Sequence, residues 1–189
     1  VHLQRVALGW VLALPLALAW ASGARAQDAS DATAVADEEA PPGSGDPWVD
    51  AWLADMDRYG AIYPQPFIDE VVRYHEAPRA LVQALLLERG WSPGDVYQAC
   101  ALADVSGRAC RQVADGWSRR SASGWVAVAR DLGAEPGSAA FQRLKQGIVD
   151  SYRRWGRPIQ VDASLAPGNP DLPRMQAPDP TPGADAAGD

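Results

Sequence analysis

Between Asp46 and Pro158 the chain is cut into short segments by proline, glycine and capping residues, and within each segment the large apolar side chains recur at helical spacing. Asp46-Pro47 has the form of an N-cap followed by a proline at the first helical position, and Trp48, Val49, Trp52, Leu53 and Met56 follow on one face. The segment around Gly60 and Pro64 is expected to break this helix. Pro66 is expected to open a second (Phe67, Ile68, Val71, Val72), which Ala77-Pro78 ends while starting a third with Leu81, Val82, Leu85 and Leu86, up to Gly90. Ser92-Pro93-Gly94-Asp95 joins a cap, a first-position proline and a first-turn acid, and its helix carries Val96, Ala99, Cys100 and Ala103 to Ser106-Gly107. Two further helices are expected over 108–118 and 124–132. Pro136-Gly137-Ser138 opens the last and longest, whose apolar face is Phe141, Leu144, Ile148, Val149, Tyr152 and Trp155; Gly156 and Pro158 end it. No segment alternates long enough to argue for a strand, so the expected fold class is all-α, a compact bundle of about six to seven short helices over residues 47–160.

The chain also repeats itself weakly. Gly94, Val96, Ala99, Leu102 and Gly107 align with Gly124, Val126, Ala129, Leu132 and Gly137, while Arg79-Ala80 aligns with Arg108-Ala109 and Gln83 with Gln112. Two helix-turn-helix-like units are too few for a solenoid, which generally needs at least about three. An internally duplicated compact domain is the expectation.

Charge sets this middle apart from its flanks. Residues 27–46 hold six acids and no base, residues 162–189 five acids and the single base Arg174, and residues 47–161 thirteen acids against fourteen Arg or Lys. The net charge of −7 therefore belongs to the ends. Both flanks are rich in small residues, Pro and Gly, and cannot bury enough surface to offset backbone ordering at about 1–2 kcal/mol per residue. Residues 27–46 are read as an acidic disordered linker and 161–189 as a disordered acidic tail. Ahead of them, Arg5, the apolar run at 6–21 interrupted by Pro15, and Ala24-Arg25-Ala26 have the layout of a secretory signal peptide (1–26) cleaved after Ala26. The expectation is a periplasmic or secreted protein with no transmembrane segment after cleavage.

Cys100 and Cys110 are the only cysteines. In an oxidising compartment they are expected to form a disulfide, whose short loop should stabilise the fold by roughly 2–4 kcal/mol. Nine intervening residues do not make the spacing of a redox pair.

The segment GWSPGDVYQACALADVSGRAC, with SGWVAVARDLGAEPGS and LKQGIVDSYRRWGRP after it, resembles a family of uncharacterised exported bacterial proteins with paired Gly-Trp or Gly-Asp helical units. The resemblance spans about residues 70–160, and its motifs are caps and turns, so it implies a helical fold and export and no activity.

Reactive groups are sparse. With His2 lost on cleavage the mature chain keeps His75 alone, which removes multi-histidine metal sites and HExxH chemistry; beside Glu76 at the end of a short helix it reads as a surface or helix-terminal residue. Asp55, Asp57, Asp69, Glu70, Glu76, Glu88 and Asp95 are the carboxylates from which a glycosidase-type pair would be drawn, which makes a cell-wall (peptidoglycan) hydrolase the alternative reading. Phosphate-binding glycine loops and EF-hand loops are absent, and no cofactor or metal is expected. Export and a near-neutral middle argue against nucleic acid as a partner.

Six tryptophans follow the cleavage site; Trp48, Trp52 and Trp155 read as core, and Trp91 and Trp125 as clamps at helix starts. The one polarised surface is the last helix, where Arg143, Lys145, Arg153, Arg154 and Arg157 face a single acid, Asp150. With Trp155 these residues form the expected binding face for an anionic envelope component or protein; solvation of a helix C-terminus, or pairing with the chain's own acidic tail, are the competing roles.

Overall fold

The computed structural model describes residues 43–175; the expected leader (1–26), residues 27–42 of the expected linker and residues 176–189 of the expected tail lie outside the described residues. Within them the chain forms seven α-helices and no strand, and the all-α expectation holds. These are α1 (Pro47–Ile62), α2 (Pro64–Tyr74), α3 (Arg79–Gln83, continued by one π turn over Ala84–Glu88), α4 (Pro93–Val105), α5 (Cys110–Arg120), α6 (Gly124–Asp131) and α7 (Ala139–Arg154).

The caps act as their residue types dictate. Asp46 accepts from the N–H groups of Trp48 and Val49 at the start of α1, Ser92 from Asp95 N at the start of α4, and Ser138 from Phe141 N at the start of α7. The break between α1 and α2 is shorter than expected. Gly60 lies inside α1, where a Cβ would come within 2.6 Å of Pro93, so it permits close helix approach and breaks nothing. Pro64, not Pro66, takes the first position of α2.

α4 is the axis of the core. Val96 and the whole run from Tyr97 to Ala103 are buried, so this helix is covered on all sides, chiefly by α1, α5 and α7. Cys100 and Cys110 are joined, with Sγ atoms 2.06 Å apart. The bond ties the middle of α4 to the first residue of α5 and so holds the α4–α5 turn closed.

The domain extends past residue 160, contrary to the tail expected from 161. Val161, Leu165, Ala166 and Asn169 are buried, and Leu172 and Met175 pack against the core. Val161 N donates to Pro173 O and Met175 N to Val161 O, closing the segment into a loop through one parallel bridge to Arg174. The low average hydrophobicity of the tail hides a few well-placed apolar anchors, and the polar residues between them find partners on α7. Likewise the last residues of the linker are folded. Ser44 is buried, its N–H donates to Asp50 Oδ1 at 2.7 Å, and Gly43 O accepts from Val126 N.

Lys145 joins both flanks to the helices. Its side chain is 2% exposed, and its ammonium donates to Asp46 Oδ2 at 2.7 Å and to Asp162. Burial pushes the Asp162 carboxyl up, but hydrogen bonds from Lys145, Ser164 and Leu165 N outweigh it and hold it below its usual 3.8. This group therefore contributes stability that is present above the unfolded value and lost as pH falls through the lower folded one. Replacing Lys145 by Met should cost roughly 3–5 kcal/mol near neutral pH, because two carboxylates are left facing each other. The deficit should shrink once the solution is acidic enough to protonate them; urea melts at neutral and acidic pH will check both, and a deficit that grows with acid contradicts the assignment.

Candidate functional site

The cations of α7 expected to form an open binding face have partners within the protein. Lys145 is buried between Asp46 and Asp162. Arg153 Nη2 reaches both carboxylate oxygens of Asp171 at 2.8 and 3.0 Å. Arg154 donates from Nε to the buried Glu70 at 2.9 Å and lies 3.7 Å from the Tyr74 ring centroid. Arg157 bonds Asp55 at 2.8 Å and sits over Tyr59. Arg143 is exposed and donates to Val105 O. Trp155 stacks against Tyr59 at 4.4 Å and also meets Phe67 and Tyr152. The helix is thus fastened by its charges to α1, α2 and the 161–175 loop. Trp155 and Arg154, with Tyr74, Arg73 and Pro66, line a notch of about 200 Å³ beside the Glu70 ion pair.

The carboxylates expected for a hydrolase are mostly engaged as well. Burial pushes Asp55 up, but Tyr152, Arg157 and Arg58 bring it below its ordinary value. Asp57 accepts from Gly94 N at 2.6 Å, Asp69 pairs with Arg79, and Asp95 accepts from the Trp125 indole at 2.7 Å. Burial, and then the Asp57 charge, raise Asp95 against its hydrogen bonds. Neither Asp57 nor Asp95 lines this notch or either of the two larger clefts beside α5.

Glu76 and Glu88 make no ion pair among the described residues, and Glu76 leads to the site that composition does not disclose. His75 caps the C-terminus of α2 as expected, yet it is buried and not a surface residue. Its ring meets Tyr97 edge-on at 4.8 Å. Neither ring nitrogen has a hydrogen-bond partner among the described residues, and Asp104 Oδ2 stands 3.6 Å from Nδ1, beyond hydrogen-bond range. His75 forms part of the wall of a cleft of about 560 Å³, lined also by Glu76 and Pro78 after α2, Asp104 at the end of α4, and Arg108 to Arg111 leading into α5.

Two features give this cleft its chemistry. Ala109 occupies the N-cap position of α5 and has no side chain with which to accept, so the helix start has no side-chain cap, and in its first turn Gln112 N turns back to Ala109 O at 2.9 Å. Arg108 and Arg111 flank that helix start, are exposed, and make no ion pair among the described residues. A helix start without a side-chain cap, the positive end of α5 and two guanidinium groups together suit an anion. Cys110 is held in its disulfide, so the acids Glu76 and Asp104 and the imidazole of His75 are the remaining reactive groups of the lining. Arg108 is shared with a second groove of about 440 Å³ between α5 and α6, lined by Gln112, Asp115, Arg119, Arg120 and Asp131. An Ala at the cap position between two arginines was the signal in the sequence, and periodicity analysis passes over it because it concerns a helix start and not a helix face.

No protein-family model matches the chain, and no curated protein or solved structure is significantly similar to it. The site therefore rests on its own geometry.

Burial is the larger influence on His75 and holds its imidazole below the ordinary 6.5, against the charges of Asp104 and Glu70. The folded state thus binds this proton less readily than the unfolded chain does, and stability falls as pH drops below about 6.5, until the folded group also titrates. His75→Phe should flatten the stability profile in that interval. An unchanged slope in urea melts across it will show that His75 is not the group responsible.

Proposed function

We propose that this chain is an exported, non-catalytic helical module that binds an anionic group in the cleft between the end of α2 and the start of α5. One observation carries the reading: a buried imidazole with neither ring nitrogen in a hydrogen bond stands in the wall of a cleft whose other chemistry, a helix start without a side-chain cap beside Arg108 and Arg111, is suited to negative charge. The disulfide is in keeping with an oxidising compartment. Among the described residues no helix is long and apolar enough to cross a membrane.

The basic last helix, the first candidate on charge alone, is a weaker basis for binding, because a partner would compete with ion pairs to Glu70, Asp55 and Asp171 that already exist. Of the carboxylates in the hydrolase reading, Asp55, Asp69 and Glu70 hold arginines, and Asp57 and Asp95 hold Gly94 N and the Trp125 indole; Glu76 lines the cleft with Asp104, and beside Arg108 and Arg111 it is assigned to binding.

The test is an amide NMR titration with sodium phosphate and with sodium acetate at constant ionic strength. Saturable shifts should centre on residues 75–78 and 104–111, and Arg108→Ala with Arg111→Ala should weaken them at least about tenfold, since each charge-assisted bond contributes roughly 1.5–3 kcal/mol. Arg153→Ala should leave them unchanged. Shifts centred on α7, or none, will overturn the assignment.

A further inference from the structure

Glu76 stands where this chain otherwise uses glycine. Its φ is 50°, and every other described residue with positive φ is a glycine, including Gly107 in the turn before α5. A residue with a Cβ adopts this left-handed conformation only at a cost, and helices ordinarily close through glycine for that reason. The Glu76 side chain is exposed and makes no hydrogen bond or ion pair among the described residues, so no polar side-chain contact there offsets the strain. Strained backbone of this kind concentrates at functional positions.

The cleft is moreover divided by charge. Glu76 follows the C-terminus of α2 and Asp104 is at the C-terminus of α4, so two carboxylates join two negative helix ends. Arg108 and Arg111 join the positive, uncapped start of α5. His75, more than nine-tenths buried and without a hydrogen-bond partner, lies in the wall they share. A simple anion would use one pole and leave the other idle. We infer that the ligand is a zwitterion, a free amino acid or a dipeptide, whose carboxylate meets Arg108, Arg111 and the α5 start and whose ammonium meets Glu76 and Asp104. A cleft of about 560 Å³ is of the size that takes a small molecule. The inference rests on the anion site proposed above and specifies the chemical class of its ligand.

The experiment is calorimetric titration of the protein with each of the common amino acids and with Ala-Ala, and then of any that bind as N-acetyl and C-terminal amide derivatives. At least one zwitterion should bind, and blocking either end should weaken it about tenfold or more. Glu76→Gly should raise the melting temperature by about 2–4 °C by relieving the backbone. The same change should lower affinity for the free-amine ligand about tenfold while leaving the N-acetyl derivative unaffected. Failure of all zwitterions to bind, equal binding of the N-acetyl forms, or unchanged binding by Glu76→Gly will each overturn the inference. If phosphate still shifts the cleft amides in that case, the anion site stands and only the zwitterion falls; if it does not, both fall.

Discussion

A single buried ammonium organises both ends of this domain. Lys145 lies on the core side of α7, almost without solvent, and a charge so placed is tolerated only with counter-charges close by. The two it has come from opposite ends of the folded chain, Asp46 ahead of α1 and Asp162 after α7. Asp46 also caps α1, and Trp48 in the first turn of α1 donates its indole N–H to Gln160 O at 2.8 Å. One cation thus couples a helix start, a helix middle and the return loop, and the termini of the domain close on the same side of α7.

The end of α7 and the turn after it follow the same logic. Arg153, Arg154 and Arg157 each reach an acid from another part of the chain, so what composition presents as a basic surface works as a set of internal fasteners. Arg108 and Arg111, which have no such partner among the described residues, lie together at the α4–α5 turn that the disulfide holds shut. That bond brings the negative end of α4 and the positive start of α5 to one cleft, with His75 and Glu76 supplied by the end of α2. The charge separation there is a consequence of helix directions as much as of side chains.

Local features of the fold were legible in the sequence where they depend on neighbours a few residues away. Asp46-Pro47, Ser92-Pro93 and Ser138 announce helix starts because a cap acts on the next turn. The cysteine pair could be read from count and spacing. Gly60 could not, since its small size answers to Pro93 on another helix. The ordering of residues 161–175 was hidden for the same reason: Asp162, Asn169 and Asp171 look like solvating residues until α7 is placed beside them. The candidate site suffered most. A basic helix face and an exposed one are indistinguishable in a linear string when the partner of Arg154 is 84 residues away. Glu76 is equally silent, because nothing local marks a glutamate as left-handed.

Arg153, Arg154 and Arg157 are occupied by acids of the fold, while Arg108 and Arg111 at the start of α5 are available to a ligand. Timed modification of the native protein with an arginine-specific dicarbonyl, followed by peptide mapping, tests this whatever the ligand is. Arg108 and Arg111 should react first, and Arg154 and Arg157 markedly later. Equal or faster reaction at Arg154 and Arg157 would contradict the account and return the binding face to the last helix.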